Sequence, residues 1–126
     1  MGHPLLPDAE CVLNDLEIGP SGSLVLLTGS NMSGKSTLLR AVGLNVTLAL
    51  AGANCCCHSF RLPLLRIATS IRLADSIGRG TSLFLAEVLR LREIVSAIND
   101  SNIRPTVVLI DEILHGTNSR ERCIAV

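Results

Sequence analysis

Apolar positions along this chain follow two periods. From Lys35, the residues Leu38, Leu39, Val42, Val46, Ala49 and Leu50 recur at helical spacing, and the run ends near Gly52, which predicts a helix. A second helix is predicted from near Thr81, with Phe84, Val88, Leu91, Val95 and Ile98 on one stripe and Arg90, Arg92 and Glu93 facing outward. Shorter runs read as strands: the continuous apolar residues 24–27, residues 55–60, the alternation of Ile67, Thr69 and Ile71 with Ala68, Ser70 and Arg72, and the β-branched run 107–110 after Pro105. Residues 1–23, with Pro4, Pro7, Gly19, Pro20 and Gly22, read as an irregular lead-in, and residues 24–126 as the core. Strand, loop, helix and strand in this order predict a three-layer α/β domain with a mainly parallel central sheet.

Composition narrows this picture. A chain of 126 residues with 48% hydrophobic side chains is long enough for one domain with a core and too short for two. Eleven basic and eleven acidic residues cancel, so no single-sign field is available to hold nucleic acid or an anionic membrane, and any DNA partner is expected to be gripped elsewhere. The charge-free run 41–60 reaches the length of a membrane span, but Asn45, Thr47, Asn54 and His58, with Gly43 and Gly52, fit a buried helix followed by a buried strand instead. No basic segment precedes an apolar core at the N-terminus, so a signal peptide is not expected. Five cysteines, three of them consecutive, make a poor disulfide framework and point to a reducing, cytoplasmic setting. Cys55-Cys56-Cys57-His58 invites a zinc reading, but consecutive residues of a strand point to alternate faces and do not converge on one tetrahedral ion.

Two motifs bring chemistry. Gly29-Ser30-Asn31-Met32-Ser33-Gly34-Lys35-Ser36 fits the G-x-x-x-x-G-K-[ST] phosphate loop and lies between a predicted strand and a predicted helix. Its glycines let backbone N–H groups turn inward around a polyphosphate, and the helix N-terminus adds partial positive charge. Lys35, the sole lysine of the chain, would reach the β and γ phosphates of ATP, and Ser36 would offer an oxygen to Mg²⁺. About 75 residues on, four apolar residues deliver Asp111 and Glu112 to the end of a strand: Asp111 would hold Mg²⁺, and Glu112 would orient or deprotonate the attacking water. Spacing and context thus predict a P-loop ATPase with a catalytic glutamate.

The wording of the motifs is more specific. Thr28 to Thr37 is similar to the T-G-x-N-M-[GS]-G-K-S-T loop of MutS-type mismatch-repair ATPases, and the stretch from Asp111 to Ser119 resembles their D-E-x-x-x-G-T-[SN]-[TS] segment. Gly80-Thr81-Ser82-Leu83-Phe84 with Glu87 resembles the family's G-x-S-x-F-x-x-E signature, and His3-Pro4 and Asn14-Asp15 its upstream elements. The resemblance runs from His3 to Val126 and implies a P-loop fold of the ABC ATPase type that binds ATP and Mg²⁺ through residues 29–37 and Asp111. It also implies a homodimer in which Ser82 approaches the γ-phosphate of the other copy, with Asn31 near that phosphate in cis and Gly116, Thr117 and Asn118 at the interface. ATP turnover would then be coupled to mismatched double-stranded DNA held by other domains, and the strand with the family's switch histidine would lie beyond Val126. His115 and Asn118 depart from the repair proteins' usual residues. A paralogue acting on recombination intermediates or ribosomes, or an ATP-binding switch without turnover, is the alternative. Cys11 and Val12 stand where the family commonly places a large side chain against adenine.

Overall fold

The computed structural model of the chain describes residues 1–30, 32–71, 83–99 and 104–112. A 3-10 turn, Asp8–Glu10, is followed by helix α1, Lys35–Leu50, strand β1, Arg66–Ser70, helix α2, Leu83–Asn99, and strand β2, Thr106–Ile110. β1 and β2 pair in parallel, from Arg66 opposite Thr106 to Ser70 opposite Ile110. A parallel pair needs a crossover of a dozen residues or more; here α2 lies between the strands in the chain.

The core forms where α1 meets the sheet. Val42, Val46 and Leu109 are buried together, with Leu38, Leu39, Ile67, Val107 and Phe60 packed against them. Gly43 sets the approach, because a Cβ there would lie 3.2 Å from Leu109 Cδ1 and 3.7 Å from Ile67 Cδ1. The C-terminal end of α1 closes as a Schellman motif: Gly52 N–H donates to Ala49 O at 3.0 Å and Ala53 N–H to Leu48 O at 2.9 Å, with Gly52 at φ 74°. Asn45 is 0% exposed. Its Nδ2 donates to Gly2 O at 2.9 Å and to Ala41 O at 2.8 Å, and its Oδ1 accepts from Cys56 N–H at 2.7 Å. One side chain thereby ties together the lead-in, the helix and the turn after it.

Both helices and two of the four expected strands form close to their expected places. The other two strands do not. Residues 24–27 pair with nothing among the described residues, and Leu24 and Leu26 are 89% and 78% exposed. Residues 55–60 are turn rather than strand, because Cys57 N–H donates locally to Cys55 O at 3.0 Å and Cys56 N–H goes to Asn45. Those bonds use the backbone donors that a ladder would need. The three-layer P-loop architecture is therefore corrected to two helices and a two-stranded parallel sheet among the described residues.

The buried stripe of α2 is also rotated from its expected position. Ile94 is 4% exposed, whereas Val95 is 55% exposed and Ile98 is exposed as well. Rows 88/91/95 and 87/91/94 both keep helical spacing, so periodicity alone could not choose. The choice goes with Arg90, which was expected to face outward: its Nε donates to Thr69 O on β1 at 3.1 Å, and its Nη1 pairs with Glu93 at 3.0 Å. Among the described residues, no helix is long and apolar enough to cross a membrane.

Candidate phosphate-binding loop

The loop before α1 is shaped by backbone conformations that side chains resist. Gly34, the residue capping α1, sits in the left-handed region at φ 89°, where an L side chain is strained even in open space. Met32 adopts φ 68° and is fully exposed, so its side chain buys no burial for a conformation costing about 1–2 kcal/mol. Ser33 N–H donates to Ser30 O at 3.3 Å, and Leu38 N–H opens the helical ladder on Gly34 O at 2.9 Å.

Lys35 turns back over this loop. Its Nζ donates to Gly29 O at 2.9 Å and to Ser30 O at 2.6 Å, which places the ammonium at the mouth of the helix. No side chain caps α1 at Gly34, and its first turn contains no acidic residue. The partial positive charge of the helix end and the lysine charge therefore add at one place, with no acidic side chain in the first turn to offset them. Lys35 and Ser36 are half-buried and Thr37 is exposed.

The acidic pair leaves the sheet at its C-terminal end. Asp111 N–H donates to Ser70 O at 2.9 Å, which extends the β1–β2 ladder one residue past β2. Asp111 is half-buried, and the exposed Glu112 takes a left-handed φ of 49°. Ser36 and Asp111 offer hydroxyl and carboxylate oxygens, the donor chemistry that suits Mg²⁺. On α2, one Glu87 carboxylate oxygen is buried without a hydrogen-bond partner. Asn31, Ser82 and the segment containing Gly116, Thr117 and Asn118 lie outside the described residues.

A separate open cleft of about 510 Å³ is bordered by Asn14, Asp15, Glu17 and Arg61, and no residue of the 28–37 loop lines it. Nearby, His3 Nδ1 accepts from Leu5 N–H at 3.3 Å, and Asn14 Nδ2 donates to Val12 O at 3.2 Å. The two upstream motif elements thus serve local turns. Asn45 entered the sequence reading only as a polar interruption of an apolar run. The signal that marked it was its position on the buried face of a predicted helix, where an amide needs partners.

A family model described as MutS domain V matches residues 25–126. The chain belongs to the MutS family. It is 37% identical over 123 residues to the DNA mismatch repair protein MutS of Chlorobaculum tepidum, covering 93% of this chain and 14% of that protein. The Fusobacterium nucleatum DNA mismatch repair protein MutS is 34% identical over 122 residues, again 93% of this chain and 13% of that protein. The mitochondrial DNA mismatch repair protein mutS homolog of Sarcophyton glaucum is 38% identical over 120 residues, 91% and 12% respectively. The chain therefore spans about a seventh of the length of these relatives. No solved structure matches it.

The resemblance to MutS-type proteins is thereby borne out. The expectation of an ATP-hydrolysing P-loop domain is corrected by the same match, which assigns residues 25–126 to domain V of MutS. Among the described residues, two helices and a two-stranded sheet also stand where a three-layer ATPase domain was expected.

Proposed function

We propose that this MutS domain V segment takes up ATP with Mg²⁺ as the nucleotide-responsive part of a cytoplasmic DNA mismatch-repair protein. The observation that carries the reading is the Lys35 ammonium, held by the Gly29 and Ser30 carbonyls at the uncapped N-terminus of α1. In this reading a polyphosphate draws Lys35 Nζ from those carbonyls and meets the N–H groups of residues 29–37. Ser36 and Asp111 hold the metal, which neutralises phosphate charge when bound. Asn31 and, from a second copy, Ser82 complete the surroundings of the terminal phosphate. Mispaired duplex is met by other parts of the protein, consistent with a net charge of zero over these residues.

Equilibrium titration of the chain with ATP, with and without Mg²⁺, tests the reading. Lys35→Ala is expected to weaken binding by roughly tenfold or more, and Asp111→Asn to remove the Mg²⁺-dependent part. Glu112→Gln is expected to leave binding in place, and comparing its phosphate release with the wild type measures turnover separately. Equal ATP affinity in wild type and Lys35→Ala would overturn the reading.

A further inference from the structure

The lead-in and the turn after α1 bring two thiols far apart in sequence to one place. Cys11 Sγ and Cys56 Sγ lie 4.0 Å apart across 45 residues, and both side chains are half-buried. The Cys56 backbone is clamped on both its polar groups, and Cys11 is placed beside it through its sulfur. Gly2 N–H donates to Cys56 O at 2.8 Å, Asn45 bonds Gly2 O and Cys56 N–H, and Cys11 Sγ contacts His3 O at 3.9 Å. Gly2 leaves the space in which the sulfurs meet, since a Cβ there would lie 2.2 Å from Cys11 Sγ and 3.2 Å from Cys56 Sγ.

The geometry points to Cys11 and Cys56 as a redox-responsive dithiol that closes to an intramolecular disulfide with glutathione disulfide as oxidant. One thiolate attacks a glutathione sulfur and expels glutathione as thiolate; the second then attacks the protein sulfur of the mixed disulfide and expels the other glutathione. Two cysteine thiols are oxidised, one glutathione disulfide is reduced to two glutathione thiols, and the two protons that leave the cysteines end, by way of water, on the two expelled glutathione thiolates. The sulfurs close from 4.0 Å to about 2 Å by side-chain rotation into the space beside Gly2. The ring so closed contains the whole 28–37 loop and α1, so the bond constrains that segment in the unfolded chain. A cytoplasmic disulfide of this kind is transient and reports on the redox state. The inference does not depend on nucleotide binding.

The chain is incubated with a graded ratio of glutathione disulfide to glutathione, acid-quenched and mapped by mass spectrometry of alkylated peptides. The Cys11–Cys56 linked peptide is expected to dominate, to persist in the triple variant Cys55→Ser, Cys57→Ser and Cys123→Ser, and to vanish with dithiothreitol. The thermal midpoint of the oxidised wild type is expected to rise by about 5 °C or more. Dominant pairing of Cys55 with Cys57, any pairing through Cys123, cross-linked dimers, or a fully reduced chain would overturn the assignment. An oxidised midpoint that is unchanged or lower would overturn the bond as a constraint. The wild-type peptide map decides even where a serine variant fails to fold.

Discussion

The two ends of α1 are finished in opposite ways. At the C-terminal end the last carbonyls are taken by the Gly52 and Ala53 amides, and the buried Asn45 amide bonds groups on three segments. At the N-terminal end no side chain caps the helix, the loop departs from comfortable backbone geometry at Met32 and Gly34, and Lys35 leans on loop carbonyls at the surface. One end satisfies its polar groups within the chain, as a structural anchor does. The other keeps donors and a positive charge that an anion can use. If the proposed nucleotide site holds, a single helix separates stability from binding along its length, and substitutions at its two ends should fall into two classes.

The largest effect is expected at the anchored end. Asn45→Ala removes the partner of the Gly2 carbonyl and the Cys56 amide, and should cost about 3 kcal/mol of unfolding free energy in urea denaturation. A loss below about 1 kcal/mol would break the contrast between the ends. Next comes Lys35→Ala, expected to lower ATP affinity by about 2 kcal/mol, roughly thirtyfold, while the urea midpoint stays within error of wild type. A stability loss matching that at Asn45 would show the loop to be structural. Gly34→Ala forces a side chain into the left-handed region and should cost about 1 kcal/mol at the loop end, with a parallel fall in ATP affinity.

The smallest effect concerns pH at the anchored end. Burial, with the neighbouring Cys57 adding to it, pushes the Cys55 thiol up from its ordinary value, and its Sγ lies 3.4 Å from Asn45 O. The folded chain therefore holds this proton more tightly than the unfolded one. The contribution to stability is fully present below the ordinary thiol range and is lost as pH rises through the raised value. Urea midpoints measured upward from neutral pH should fall slightly more in wild type than in Cys55→Ser; identical slopes would place Cys55 outside the anchor.

Local pattern carried much of this molecule. Periodicity marked α1 and α2, alternation marked β1, and the β-branched run marked β2, because each element's own residues specify its conformation. Residues 24–27 are as apolar as β2 but lack a ladder partner among the described residues, and pairing is not written in a strand's own sequence. Residues 55–60 read as strand until the Asn45 side chain, eleven positions before Cys56, claimed a backbone donor. The face of α2 was ambiguous because neighbouring rows of helical spacing compete, one of them carrying Glu87, and contact between Arg90 and β1 distinguishes them. For the candidate site, the glycine spacing and the lysine were legible, whereas the carbonyls that receive Lys35 follow from loop conformation.

Gly43 gives α1 the mechanics of a lever. It is where the helix comes close to Leu109 and Ile67, so it acts as the fulcrum against the sheet. Lys35 lies eight residues to one side, about 12 Å along the axis, and Asn45 two residues to the other, about 3 Å. A small tilt that strains the short, hydrogen-bonded arm sweeps the long arm about four times as far. Force applied at the loop meets resistance at the anchor, and slack at the anchor is magnified at the loop.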